Sequence, residues 1–273
     1  LSERIKIMKD KKKNERKQID FHMHSLLSDG QNSVEELVQL AYENNMRAIA
    51  ITDHNHISIC EKRIVGNKND FLEILPACEF STSYWVPEKE ENIEVHVIGL
   101  WLESVDPNDF EDIFSVCKLG KLEYIQEILK ILDGLNVHVS LDEVLEEQRK
   151  TGHLGRHQIC DVLIRKGYAD NVDQAMDRFV GNWSPYYLNP LRFIKYKKLD
   201  EVVQKIRVTH GIPILCHCYG YNLDENEIET LIKTFAKISD GVGGIEVFYE
   251  NYLDDLSRMH FLKKMAYRYR LLY

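Results

Sequence analysis

The chain of 273 residues has no apolar run approaching the roughly 18 residues that a bilayer span needs. Its first 17 residues are polar and basic where a secretion signal would carry an apolar core, so neither membrane insertion nor Sec export is expected. Cysteine is sparse. The six thiols, at 60, 78, 117, 160, 216 and 218, show neither the density nor the paired spacing of a disulfide framework or a zinc ribbon, and they read as reduced thiols in the cytoplasm. Positive charge is in deficit, with 35 Lys and Arg against 44 Asp and Glu for a net charge of -9. Such a surface repels extended duplex nucleic acid, while small phosphorylated molecules stay open as partners because a metal reverses the local field. No repeat or low-complexity segment is visible, and the sequence opens at Leu1 without an initiator methionine, which suggests trimming at one or both ends.

What is present is a globular pattern, 44% hydrophobic. About 150 residues per domain gives two domains, but α/β barrels often run to about 250 residues as one. Residues 1–17 carry Lys9, Lys11, Lys12, Lys13, Arg16 and Lys17, the composition of a solvated basic tail. Strand-like runs follow at 18–23, 47–52, 71–78, 93–101, 212–216 and 242–248. Helical periodicity marks 33–45, with Ser33 as N-cap and Glu36 as its capping-box partner, and also 227–238 and 253–267. Strand and helix alternating through short links imply a parallel sheet. Between Trp101 and Thr209 that order breaks, and helices are expected at 110–132, 141–150, 158–166 and 172–179. The expected organisation is therefore a barrel over 18–103 and 207–273, with a helical insertion at 104–206.

Polar groups gather where these strands end. In Asp20-Phe21-His22-Met23-His24, alternation places Asp20, His22 and His24 on one face, the two imidazoles about 7 Å apart. Asp29 follows in a Ser-Asp-Gly turn able to bring a carboxylate back over that face. Asp53 and His54 end the second strand and Glu79 the third, while His96 and His217 lie in later ones. Strand ends at the C-terminal face are where such barrels place their sites. Burying five imidazoles with Asp29 and Glu79 costs several kcal/mol unless a cation compensates. Nitrogen and carboxylate donors without thiolate suit Zn, Mn or Fe. By alternation Cys216 and Cys218 face away from His217 and serve packing.

These motifs, with the His96-x-Ile98-Gly99 strand, resemble the PHP (polymerase and histidinol phosphatase) family of metal-dependent phosphoesterases. The helical insertion, with Gly155-Arg156 opening a helix, is similar to the branch of nucleoside 3′,5′-bisphosphate phosphatases and 5′ to 3′ RNA exonucleases. The resemblance spans about residues 18 to 273. It implies a distorted TIM-like (β/α)7 barrel, the PHP fold, holding up to three divalent metals. By position, one metal takes His22, His24 and Glu79, a second shares Glu79 with His96 and His217, and a third takes Asp29 and His54. Arg156 and His157 are the candidate contacts to substrate phosphate, although the family's Gly-Arg-Pro-His reads Gly155-Arg156-His157-Gln158 here. The family's Ala-His-Pro stands as Cys216-His217-Cys218, and its Gly-Ser-Asp-x-His stretch does not occur before Tyr273.

The implied activity is hydrolysis of phosphomonoesters, or of terminal phosphodiesters, in small nucleotides or short oligonucleotides. Glu79 would bridge the metals that activate a hydroxide, with Asp53 or a metal-bound water protonating the leaving group, and Asp20 would orient an imidazole. The competing readings are a histidinol-phosphate phosphatase, an amidohydrolase on the same fold, and a metal-stabilised scaffold without activity.

Overall fold

The computed structural model describes residues 18–68 and 70–273, so the basic segment 1–17 lies outside the described residues. The first apolar runs form β1 (Ile19–Met23) and β2 (Ala48–Ile51), joined by helix α1 (Val34–Glu43). Ser33 caps α1 as its sequence requires: its side chain accepts from the Glu36 amide while Glu36 bonds back to the Ser33 amide. β1 and β2 pair in parallel, as the βαβ order demands, and β2 is buried throughout.

The third expected strand is divided. Pro76 cannot donate to a ladder, and the chain breaks there into β4 (Asp70–Leu75) and β5 (Ala77–Val86). A strand not expected from the sequence, β3 (Arg63–Asn67), pairs antiparallel with β4 and completes a first sheet in the order β1-β2-β4-β3. β5 turns back through residues 87–90 into β6 (Glu91–Leu100) as a long antiparallel hairpin. β7 (Ile212–Leu215) adds antiparallel to β6, and the short β8 (Gly244–Ile245) adds parallel to β7.

Among the described residues the architecture is thus mixed α/β with two four-stranded sheets. This corrects the expectation of an all-parallel sheet. Three of the six strand pairings are antiparallel, and β1 and β8 are outer strands of separate sheets. The sheets meet where a parallel bridge joins His54 to Glu79, the Asn55 amide donating to the Glu79 carbonyl at 2.8 Å. That seam carries the site.

The expected helix at 110–132 is two helices, α2 (Glu111–Lys118) and α3 (Lys121–Gly134), separated at Gly120. Gly120 has φ +78 and a β-carbon there would stand 2.2 Å from the Phe193 carbonyl oxygen, so the chain turns where only glycine fits. α4 (Leu141–Thr151) and α5 (Arg156–Arg165) follow, and α6 (Val172–Ala175) runs on into a π turn. Tyr124, Ile125, Val144, Ile159, Val162 and Phe179 form a core belonging to these helices. Phe110, Ile113 and Phe114 before it, and α7 (Leu199–Val208) after it, instead pack into the large core with β5 and β6. α7 was not anticipated from the sequence. α8 (Glu225–Ile238) and α9 (Leu256–Tyr269) complete the chain, and no described helix is long and apolar enough to cross a membrane.

Candidate metal centre

Glu79 stands at the centre of the site. Its side chain is fully buried at the start of β5, yet five imidazoles reach it. His96 Nδ1 and His217 Nε2 lie 2.9 Å from Oε1. On Oε2 converge His54 Nδ1 at 3.1 Å, His24 Nε2 at 3.2 Å and His22 Nε2 at 3.4 Å. Asp29 joins from the loop after β1, its carboxylate 3.2 Å from His24 Nδ1 and 3.3 Å from His54 Nε2. Gly30 makes this turn possible, because a β-carbon there would lie 1.9 Å from the His24 carbonyl oxygen. All seven expected ligands therefore come together.

Burial alone would drive these groups neutral. It opposes charge on Glu79 and Asp29, but the surrounding imidazoles hold both carboxyls well below their ordinary range. Burial likewise opposes a proton on His96, and Glu79 and Glu94 nevertheless raise its pKa to about 10. For His54 burial prevails and the pKa falls, leaving a ring nitrogen free to ligate. The residues fit a divalent cation by a sharper criterion. Glu79 Oε2, Asp29 Oδ1 and His54 Nδ1 are buried without a hydrogen-bond partner although nitrogen or oxygen neighbours lie only 3.1 to 3.4 Å away. Two donors about 2.1 Å from one tetrahedral ion stand about 3.4 Å apart, so close donors that do not bond one another are arranged as ligands of a shared ion. Three groups each bring one ligand atom per residue within 4.8 Å of the others: His22, His24 and Glu79; His24, Asp29 and His54; and His54, Glu79 and His96.

Sequence reasoning missed the carboxylates behind the imidazoles. Glu246, just beyond β8, accepts from His22 Nδ1 at 2.9 Å and from the His217 amide at 2.7 Å. The second contact anchors a backbone at φ +23, rarely adopted by a side-chain-bearing residue. Glu94 stands 3.2 Å from His96 Nε2, opposite the nitrogen that meets Glu79. Glu94 shares a strand face with His96 two residues on, a signal available in the sequence. Glu246 had only the oddity of an acid inside an apolar run.

Asp20 does not orient an imidazole; it is exposed and accepts from the His22 amide at 3.1 Å. The Asp53 carboxylate is engaged by the loop after β1. Fully buried, it accepts from the Ser25 amide at 2.8 Å, the Ser25 hydroxyl at 2.7 Å, the Ser28 hydroxyl at 2.7 Å and Ser58 Oγ. It ties down the loop that carries His24 and Asp29. Asp53→Asn exchanges an acceptor for a donor in that network, and urea denaturation is expected to show a loss of about 3 kcal/mol.

Arg156 opens α5, its Nη1 fixed by the Val180 carbonyl at 3.1 Å and Asn182 Oδ1 at 2.7 Å. His157 Nδ1 lies 2.9 Å from Asp29. Both line a cavity of about 140 Å³ together with Asp29, His54, His96 and Lys121. Lys121 was not anticipated. Burial lowers its pKa, with Cys117, Glu94 and Asp29 opposing, and its ammonium has no ion-pair partner among the described residues. Cys216 and Cys218 are fully buried in apolar cores, clear of the ligands.

The PHP domain model matches residues 20–249. A 5′-3′ exoribonuclease of Haemophilus influenzae is 24% identical over 219 residues, 80% of this chain and 75% of that protein. A 3′,5′-nucleoside bisphosphate phosphatase of Chromobacterium violaceum is 23% identical over 246 residues, covering 88% and 80%. Among solved structures, one described as an amidohydrolase from Chromobacterium violaceum, with sulfate bound and no metal, superposes with a TM-score of 0.72 at 20% identity over 93% of this chain and 84% of that one. With the matched segment spanning the whole imidazole and carboxylate cluster, the chain belongs to the PHP domain family, whose relatives named here are hydrolases.

Proposed function

We propose that the protein is a metal-dependent phosphoesterase that hydrolyses phosphomonoesters, or terminal phosphodiesters, of small nucleotides or short oligonucleotides. The observation that carries this reading is the pair of cationic side chains, Arg156 and Lys121, that share one cavity with Asp29, His54 and His96. A cluster built for divalent cations, faced by a guanidinium and a half-buried ammonium, suits a dianionic phosphate. The names of the relatives, an exoribonuclease and a bisphosphate phosphatase, fit the same substrate class.

In this account His22, His24 and Glu79 would hold one ion, Glu79, His96 and His217 another, and Asp29 and His54 a third. Zn, Mn and Fe suit the donor set. Bound ions would supply Lewis acidity toward phosphoryl oxygens and lower the pKa of coordinated water to about 7. The chain's own residues do the rest. Glu79 keeps the donors at short range, Arg156 and Lys121 bind nonbridging oxygens, and His157, held by Asp29, closes the phosphate side of the cavity. Asp53 acts by holding the loop in place. We also read the two sheets as walls of a distorted (β/α)7 barrel with a helical insertion at 104–206, and the six unpaired thiols as fitting a reducing cytoplasm.

Release of inorganic phosphate from a panel of nucleotides and histidinol phosphate, with Mn or Zn added, tests the reading. Nucleotides are expected to be preferred, and Arg156→Gln to lower kcat/KM by roughly a hundredfold with metal content unchanged. Absence of phosphate release from every ester in the panel would refute it.

A further inference from the structure

A second cavity, of about 390 Å³, adjoins the first, and His54, Asn55, Lys121 and His153 line both. Its setting follows from the break at Gly120. α2 ends on Lys118 and α3 begins on Lys121, so the turn between them sets two lysines in one lining. Gln148 of α4 and His56, just past the seam between the sheets, add hydrogen-bonding groups, with Phe114 and Leu122 as apolar wall.

Charge sets this cavity apart. The first cavity carries Asp29 and Glu94, and the whole chain has a net charge of -9, yet no Asp or Glu lines the second. Asn55 is already engaged, its Nδ2 donating to Ser81 Oγ at 3.2 Å and its Oδ1 accepting from the Cys117 thiol at 3.3 Å. Among the described residues, by contrast, the side chains of Lys118, Lys121, His56 and Gln148 have neither a hydrogen-bond nor an ion-pair partner. Burial lowers the Lys121 pKa and Lys118 adds to that, while Cys117, Glu94 and Asp29 oppose. Two repelling ammonium groups beside free amide and imidazole groups, with no acid between them, suit an oxyanion that takes several charge-assisted hydrogen bonds at once.

From this we infer that the second cavity binds a free tetrahedral oxyanion, the inorganic phosphate that the reaction releases, and that phosphate held there inhibits by drawing Lys121 away from the ester in the first cavity. The inference rests on the phosphoesterase reading above, in which Lys121 binds a nonbridging oxygen. One ammonium cannot serve both cavities fully. The two sites are therefore coupled, and the coupling is mutual: each occupant weakens the other.

Calorimetric titration of the full chain, loaded with Mn, with inorganic phosphate is expected to find two sites, the second about tenfold weaker than the first. Lys118→Gln should weaken that second site about tenfold more and spare the first, while Arg156→Gln should do the reverse. In steady-state assays added phosphate should both raise KM and lower kcat. Lys118→Gln should keep the effect on KM, lose the effect on kcat, and leave kcat/KM without phosphate within about twofold of wild type. A single phosphate per wild-type chain, or an effect on kcat that survives in Lys118→Gln, would overturn the inference. Displacement of both phosphates by one equivalent of adenosine 3′,5′-bisphosphate would assign the cavity to the substrate and overturn the inhibitory role. Two phosphates bound, the weaker through Lys118, with no ester hydrolysed would instead contradict the phosphoesterase reading and leave the anion site standing.

Discussion

Glu79→Gln is expected to purify folded, to hold less divalent metal than the wild type, and to lose phosphoesterase activity by about a thousandfold or more. The size follows from its position. One carboxylate receives five imidazoles on its two oxygens, and Glu79 belongs to two of the three donor groups capable of sharing an ion. An amide keeps the shape but removes the charge and turns one oxygen into an NH2, which repels a cation and cannot accept from a ring N–H. Metal analysis of the dialysed variant, beside its phosphate-release rate, checks both parts. Full metal content with full activity would remove Glu79 from the centre of the account.

Glu246→Gln should also weaken metal binding, although Glu246 occurs in none of the three donor groups. Its two oxygens accept from His22 Nδ1 and from the His217 amide. A glutamine can satisfy one of these donors and must turn its own NH2 toward the other. His22 would then lose the bond that fixes its tautomer and ring angle, or His217 would lose the anchor of its strained backbone. Outer partners of this kind typically affect metal affinity by about 10- to 100-fold, and a loss in that range is expected when Mn or Zn binding is titrated against a competing chelator. Unchanged affinity would reduce Glu246 to a packing residue.

How far the sequence could be read depended on which physical rule governed each segment. The ligand types and their convergence were legible because a buried set of imidazoles and carboxylates has few stable uses without a cation. Ser33 and Glu36 announced α1 through a local interaction that needs no tertiary context. Asp20 was misplaced because alternation assumes an unbroken strand. The β1–β2 register shifts between Asp20 and Met23, so the acid no longer shares the inward face of His22. The expectation of an all-parallel sheet failed at Pro76 and in the β5–β6 hairpin, where pairing direction is a tertiary outcome. Lys121 was hidden because its importance comes from packing beside residues nearly a hundred positions away, and Glu246 because one acid in an apolar run gives no hint of its partners.

Asp53 shows why residue type alone does not assign a role. A carboxylate next to a ligand histidine is a natural candidate for proton transfer, yet here Ser25, Ser28 and Ser58 occupy its oxygens. The same acid is better understood as the fixed point that sets where His24 and Asp29 stand.

The central claim is that His22, His24, Asp29, His54, Glu79, His96 and His217 hold divalent ions in common. It is tested most directly by crystals grown with Mn and measured for anomalous scattering at the manganese edge. The account predicts anomalous peaks among these side chains, one of them within coordinating distance of His22 Nε2, His24 Nε2 and Glu79. No peak in the cluster, with Glu79 Oε2 instead accepting well-aligned hydrogen bonds from protonated imidazoles, would contradict it.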